Sequence, residues 1–311
     1  MLAAEVAVVG SLNADLTLPV HRLPGPGETV LTRGPAQLAL GGKGANQAAA
    51  AAAFGGQIAM IGRVGGDEVG GKIMADLAAR GIDTAGVFVT DGARTGTAMI
   101  AVDEAGENLI VVDPGANGRL EPQDITASSL SQAAVLLVQL EIPLPTVLAA
   151  VRSFQGLVVL NPAPAVPIEP AVLESVSVLV PNKSELTYMA GTSSPGTLGG
   201  IAALARKVAC GADVVVTLAA DGAVVVPRGD GPARHVAAPR VDVIDGTGAG
   251  DCFCGALAVL LAEGADLADA ARVAVAAATI STTSRGARGR LPGRAEAERL
   301  AAGLAAEPVR P

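Results

Sequence analysis

The sequence predicts an α/β fold: a three-layer α/β/α sandwich with a mainly parallel central sheet, plus a small separate β-sheet. Three observations predict it. Short, unbroken runs of Val, Ile and Leu recur along the chain, as strands buried on both faces require. Ala-rich stretches of helical length separate them, giving the alternation of a parallel sheet covered on both sides. Two further segments, at 14–34 and 95–117, are punctuated by Pro and Gly or turn back on themselves, and fit neither layer.

In chain order, the run VAVV at 6–9 opens the sheet and is closed by Gly10. A helix at 45–54 is entered through Gly41, Gly42 and Gly44, and its run of alanines is helix-favouring composition. A strand at 58–61 and a helix at 68–80 complete the next unit. Residues 135–140, 157–160, 176–180 and 214–218 are the remaining apolar runs, with helices at 145–152 and 198–209 between them. A polar turn at 219–222 leads into one more strand. The C-terminal part reads as three helices, at 249–262, 267–282 and 295–305. No repeat or linker divides the chain, so residues 1–311 are expected to form one domain. The two misfit segments, about 12–38 and 95–117, form the small sheet, the second as two strands joined by a turn at 104–107. Inserted after the first strand and after a βα unit, they are placed to lie as a lid over the sheet's carboxyl edge, where open α/β folds bind ligands.

Composition narrows the function. Of 311 residues half are apolar and only 2% aromatic, which leaves little for stacking on nucleobases. The net charge of −8 gives no basic excess to drive binding along a phosphate backbone, so nucleic acid is not an expected partner. Polar residues and prolines interrupt every long apolar run, so no membrane partner is expected. Three cysteines without CxxC spacing fit neither a disulfide framework nor a zinc site. With no basic stretch ahead of the first apolar run, a cytoplasmic location is expected.

Chemistry concentrates in several short motifs. In "GTGAGDCF", Gly246, Gly248 and Gly250 let the backbone turn tightly and expose successive N–H groups at a helix start, where the dipole favours an anion. Asp251 then stands on the first turn, able to accept a proton from a hydroxyl attacking that anion. The alternative is a Gly-rich turn with an acidic residue that only complements the dipole. In "GGKGANQ", glycines permit close approach while Lys43 and Asn46 offer donors; the P-loop spacing is not satisfied. Asn13 and Asp15 follow the first strand and either grip hydroxyls or form an Asx turn. Glu141 ends a buried strand, where a carboxylate faces the ligand crevice more readily than the core. Asn182 and Glu185 sit three apart on a helical start, suited either to a magnesium hydration shell or to a helix cap. Two histidines lie far apart, leaving no support for a histidine metal site or a Ser/His/Asp triad. Phosphoryl transfer needs neither, only positioning, charge neutralisation and one base.

Taken in order, "GSLNAD", "PGETV", "GGKGANQA", "GENLIVVDPGAN", "QLE", "NPAPA", "PNKSE", "TLAADG" and "DGTGAGDCFCGAL" resemble the ribokinase family of carbohydrate kinases across nearly the whole chain. The resemblance implies that Asn13, Asp15, Gly41, Gly42, Lys43, Asn46 and Glu141 hold a sugar, with Asp251 as catalytic base. Gly248, Ala249 and Gly250 would aim N–H groups at the transferring phosphoryl. ATP would be bound by Asn182, by Thr217, Leu218, Ala219, Ala220, Asp221 and Gly222, and by Gly250 and Val275, with Glu185 helping to organise Mg2+. Asp245 and Thr247, with backbone oxygens of Ser281, Ser284 and Gly286, match a monovalent-cation loop, K+ in this family.

Several positions depart from the pattern. Gly246 stands for a commoner Thr, and Arg288 and Arg290 bring two positive charges to the end of the cation loop, Arg290 either replacing the cation or facing solvent. Val275 substitutes packing for a polar contact to adenine, and Ala219 replaces a frequent Gly, a mild change. Cys252 and Cys254 read as small buried residues at a helix start that would otherwise lower a thiol's pKa.

The function implied is ATP-dependent phosphorylation of D-ribose at its primary 5-hydroxyl. The runners-up are a deoxyribose or nucleoside kinase of the same fold, or a sugar-binding regulator without catalysis. Scarce aromatics outside the sugar loops favour a bare sugar, and an intact "GAGD" argues against the regulator. Exposed strand edges of the lid imply a homodimer.

Overall fold

The computed structural model describes residues 5–126, 130 and 132–309. Of the 1–311 domain expected above, residues 1–4, 127–129, 131 and 310–311 therefore lie outside the described residues. Ten strands form the large sheet. From its centre outward on one side stand β1 (Val6–Val9), β4 (Ile58–Gly65) and β5 (Asp83–Thr90), all parallel. On the other side stand β8 (Val135–Val138), β9 (Leu157–Leu160), β10 (Val178–Leu179) and β11 (Asp213–Thr217), also parallel. Three antiparallel strands close that edge: β12 (Ala223–Val226), β13 (Arg234–Val236) and β14 (Ala306–Pro308).

The unbroken apolar runs follow from two-sided burial. Along β1, Val6 and Val8 enter one core while Ala7 and Val9 enter the other, and β8 divides likewise, Val135 and Leu137 against Leu136 and Val138. The first core is covered by α1 (Lys43–Ala53), α2 (Glu68–Ala79), α7 (Ala249–Ala262), α8 (Leu267–Ser281) and α9 (Arg294–Ala301). The second is covered mainly by α3 (Leu144–Ser153), α4 (Pro170–Leu173), α5 (Lys183–Ala190) and α6 (Leu198–Val208). Helix α7 is apolar all round and buried along most of its length, which fixes its first turn. No described helix is long and apolar enough to cross a membrane.

A separate four-stranded sheet contains β2 (Asn13–Pro19), β3 (Gln37–Gly41), β6 (Gly96–Val102) and β7 (Asn108–Asp113), in the order β3-β2-β6-β7. The hairpin between β6 and β7 is closed by Asp103, whose carboxylate accepts from the N–H groups of Ala105 and Glu107.

The structure corrects several element boundaries. The strand expected at 135–140 ends at Val138, because residues 139–141 leave the ladder and turn into the crevice; Leu140 N–H instead donates to the Ala163 carbonyl at 2.9 Å. Of the strand expected at 176–180 only Val178 and Leu179 are ladder residues, although the N–H groups of Ser177 and Val180 still donate to the Val158 and Leu160 carbonyls. The last helix, expected to reach 305, stops at Ala301, where a turn at Ala302 and Gly303 redirects the chain into β14. Strands β5, β13 and β14 were not predicted, being respectively an alternating edge strand and two three-residue strands.

Candidate active site

From β1 the chain proceeds to β4 on one side of the sheet, while β8 lies on the other, so the order reverses between β1 and β8. Crevices outside the carboxyl ends of strands at such a reversal are where open α/β sheets bind ligands. The motifs converge there. Ser11, just beyond β1, donates its hydroxyl to Glu141 Oε2 at 2.5 Å, and the N–H of Lys43 donates to the same oxygen at 3.1 Å. Glu141, three residues beyond the end of β8 rather than at it, is thereby held at the start of α1.

The entry to α1 depends on Gly42, whose φ is 86°; a Cβ there would stand 2.6 Å from the backbone nitrogen of Asn13. This close approach brings the β3–α1 turn against β2. Asn13 and Asp15 alternate onto the same face of the small sheet, and a Cβ on Gly41 would collide with the Asp15 carboxylate. Burial, then the neighbouring Glu141 charge, push the Asp15 carboxyl up to about 6, with Arg288 and Lys43 opposing. Burial alone would lower the Lys43 ammonium, but Asp251, Glu141 and Glu185 outweigh it and raise it above the usual lysine value.

At the N-terminus of α7, Gly248 takes the left-handed conformation, φ 76°, and a Cβ there would lie 2.6 Å from Cα of Ala287. Ala249 and Gly250 form the first turn after it, and no side chain caps this helix start. Asp251 follows, 8% exposed. Its Oδ2 accepts from Asn46 Nδ2 at 3.1 Å and its Oδ1 from Gln47 Nε2 at 3.0 Å. The sequence reading assigned no role to Gln47, although it lies inside a motif that the reading singled out.

On the other side of the crevice, Asn182 and Glu185 form a reciprocal capping box on α5: Glu185 N–H donates to Asn182 Oδ1, and Asn182 N–H to Glu185 Oε2, each at 2.8 Å. Asn182 Nδ2 also donates to Glu185 Oε1, so both carboxylate oxygens are engaged. Burial raises the Glu185 carboxyl, opposed by the Asn182 N–H and Lys43. A β-bridge joins Asn182 to Thr217, bringing the β11 end and the turn through Leu218, Ala219, Ala220, Asp221 and Gly222 beside the cap. A cleft of ≈ 780 Å³, within the range of small-molecule sites, runs between Lys43, Glu141, Asn182 and Glu185, with Ile110 and Val112 of the small sheet as its other wall.

Asp245 Oδ1 accepts from Thr247 N–H and hydroxyl at 2.9 and 2.6 Å, and Oδ2 accepts from Gly286 N–H at 2.8 Å. Burial would raise this carboxyl, but those donors and the Arg285 charge hold it below the usual range. The loop thus unites Asp245, Thr247 and Gly286, with Ser281 as the last residue of α8 and Ser284 in the bend that follows it.

Arg290 takes the solvent-facing alternative: its exposed side chain donates to the Thr283 hydroxyl at 2.9 Å and pairs with Glu296 at 2.6 Å. Two expectations change. Ala219 is more than a mild departure, since its φ of 52° is left-handed and costs an L-residue about 1–2 kcal/mol. Arg288, read only as extra charge in the cation loop, reaches instead to Asn46 and the carbonyl of Gly41. Val275 is 4% exposed and packs within the core around α7 and α8. Cys252 and Cys254 are buried as expected, and burial pushes the Cys252 thiol up to about 12 despite the helix start.

Residues 3–294 match the family model for pfkB family carbohydrate kinases. The chain is 37% identical over 297 residues to a ribokinase of Haemophilus influenzae, covering 94% of this chain and 96% of the relative. It is 34% identical over 297 residues to a deoxyribokinase of Salmonella typhi, with coverage of 93% and 95%. Among solved structures, Arabidopsis thaliana ribokinase complexed with ribose and ATP superposes with a TM-score of 0.87 at 30% identity, covering 96% of this chain and 99% of that one. The order reversal, the glycine-bounded helix start and the full-length similarity lead to one conclusion: the chain belongs to the pfkB family of carbohydrate kinases.

Proposed function

We propose that this protein transfers the γ-phosphoryl group of ATP to the primary hydroxyl of D-ribose, giving ribose 5-phosphate and ADP. The observation that carries the reading is Asp251: a buried carboxylate on the first turn after a left-handed glycine, within the electrostatic reach of Lys43. In this reading Asn13, Asp15, Asn46 and Glu141 grip the sugar hydroxyls, with Gly41 and Gly42 permitting close approach. Asp251 takes the proton of the attacking hydroxyl, whose oxygen forms the new bond to phosphorus as the bond to the ADP oxygen breaks. The N–H groups of Gly248, Ala249 and Gly250 receive the charge on the transferring group, and each such donor is worth roughly 10²–10³ in rate. Lys43 neutralises charge from the opposite side.

The turn from Thr217 to Gly222, with Asn182, suits the nucleotide. Mg2+, which would screen phosphate charge when bound, fits a site supplied mainly by phosphates and water, because no group of three His, Cys, Asp or Glu converges among the described residues and Glu185 is held in its cap. The Asp245 loop offers one carboxylate held ionised amid backbone, a donor set suited to K+. The small sheet is read as the lid of this site, spanning about 12–38 and 95–117.

Registers in that sheet place Leu38, Leu16, Met99 and Val111 opposite one another on the face turned away from the cleft. Leu38, Met99 and Val111 are 54%, 45% and 52% exposed, an apolar row across all four strands. Packing of this face on a second copy accounts for it better than pairing at the strand edges, and makes the protein a homodimer. Light scattering of Met99→Asp/Val111→Asp should then report a monomer where the parent is a dimer; a monomeric parent overturns the assembly.

The activity is tested by ADP release from MgATP with D-ribose, 2-deoxyribose, adenosine or no acceptor, in potassium and in sodium. Ribose-dependent turnover raised by potassium is the expected result. Turnover only with another acceptor discards ribose, and sugar binding with no ADP release discards the kinase.

A further inference from the structure

Both hydrogen bonds received by the Asp251 carboxylate come from side-chain amides, those of Asn46 and Gln47. An amide can present nitrogen or oxygen, and the wrong end would set a carbonyl against a carboxylate. The fold decides this from behind each amide. Arg288, which can only donate, gives its Nε–H to Asn46 Oδ1 at 2.8 Å, leaving Nδ2 for Asp251. Arg288 is itself fixed by Asp76 at 2.8 Å and the Gly41 carbonyl at 3.1 Å, with a side chain only 7% exposed.

Gln47 is locked in a similar way. Its Oε1 accepts from Gln139 Nε2 at 2.6 Å, while its Nε2 donates to Asn161 Oδ1 at 3.0 Å as well as to Asp251. Asn161 is held in that sense by donating its own Nδ2 to the Val180 carbonyl at 2.9 Å. Gln47 and Gln139 are fully buried, and Gln139 Oε1 has no hydrogen-bond partner among the described residues. A lone buried acceptor is destabilising. It is tolerated where the donor end of Gln139 is required at Gln47.

We infer that Gln47 and Arg288 are positioning residues for phosphoryl transfer: through Gln47 directly, and through Asn46 in the case of Arg288, they hold the Asp251 carboxylate in the orientation from which it takes the acceptor's proton. The inference rests on the reading of Asp251 as base. Neither residue is required to touch either substrate, and the role of Gln47, which holds no sugar-binding group, separates kinetically from binding.

The test is a double-mutant cycle on the full chain, reading kcat and KM for D-ribose and MgATP. Gln47→Leu and Arg288→Met are each expected to lower kcat by about 10- to 100-fold, the scale of a misplaced catalytic group, with the KM for MgATP within about threefold in both and the KM for D-ribose within about threefold in Gln47→Leu; Arg288→Met also frees Asn46 and raises the ribose KM. In an Asp251→Asn background the cost of Gln47→Leu should shrink to less than about twofold, because the group it positions is gone. Gln139→Met guards against misfolding: it removes the unpaired Gln139 oxygen but strips Gln47 Oε1 of its donor, leaving one orphaned acceptor in place of another, so the protein should melt close to the parent yet turn over more slowly. Equal losses from Gln47→Leu in both backgrounds, or raised KM at unchanged kcat, overturn the positioning role alone. Near-parental turnover in Asp251→Asn by itself overturns the base assignment instead.

Discussion

Replacing Asp15 with Asn should make this protein more stable while weakening its hold on sugar. The carboxyl is raised from 3.8 to about 6, chiefly by burial and then by the charge of Glu141. At about 1.4 kcal/mol per pH unit this corresponds to about 3 kcal/mol of native-state penalty, and residual solvent contact reduces the recoverable part to about 1–2 kcal/mol. The sign follows from proton linkage. Above pH 6 the carboxyl is ionised in both states and the folded form bears the whole penalty. Between pH 6 and 3.8 the folded form holds a proton that the unfolded form lacks, and the penalty is progressively relieved. Melting temperatures of parent and Asp15→Asn, compared without sugar at about pH 7.5 and about pH 4.5, should differ by about 1.5–3 °C at the higher pH and by about a third of that at the lower. A variant less stable than the parent at the higher pH, or a gap that widens on acidification, would refute the argument. The same displacement predicts that the sugar KM of the parent rises as pH falls below about 6, since a protonated carboxyl accepts fewer hydroxyl hydrogens.

Three further predictions follow from the transfer end of the crevice. Asp251→Asn should stay folded, melting somewhat below the parent because its NH2 meets one of the two donors held on Asn46 and Gln47, and lose about 10²–10⁴ in kcat, the usual contribution of a positioned base; substantial residual turnover removes Asp251 from that role. Gly248→Ala adds both a left-handed alanine and a Cβ 2.6 Å from Ala287, and should lower kcat by about 10²-fold as the helix start is displaced, read against ATP affinity by steady-state kinetics. Ala219→Gly releases a strained backbone and should raise thermal stability by about 0.5–1 kcal/mol with kcat unchanged; a lower melting temperature would show that the alanine methyl packs more favourably than the strain costs.

The sequence made the central architecture legible because β1 and β8 bury alternate residues in two different cores, which demands unbroken apolar runs. The glycine-bounded helix starts were legible for a related reason: only glycine accommodates φ 86° at Gly42 and 76° at Gly248 with backbone so near. What supports those starts was not legible. Gln47 meets Gln139 across 92 positions and Arg288 meets Asn46 across 242, and no local pattern distinguishes such a glutamine or arginine from a helix-surface or loop residue. The two three-residue edge strands β13 and β14 carry too short a pattern to be told from loop.

The division of labour between the two sheets also bears on how such a protein can change. Asn13 and Asp15 belong to the four-stranded sheet, whereas Asp251, Asn182 and Thr217 are set by the ten-stranded sheet and its buried helices. On the function proposed above, substitutions in the first would redraw the contour met by an acceptor without disturbing the frame assigned to phosphate. For directed evolution, diversity is therefore best confined to positions on β2, β6 and β7. The first turn of α7 and the amides behind it should be left untouched.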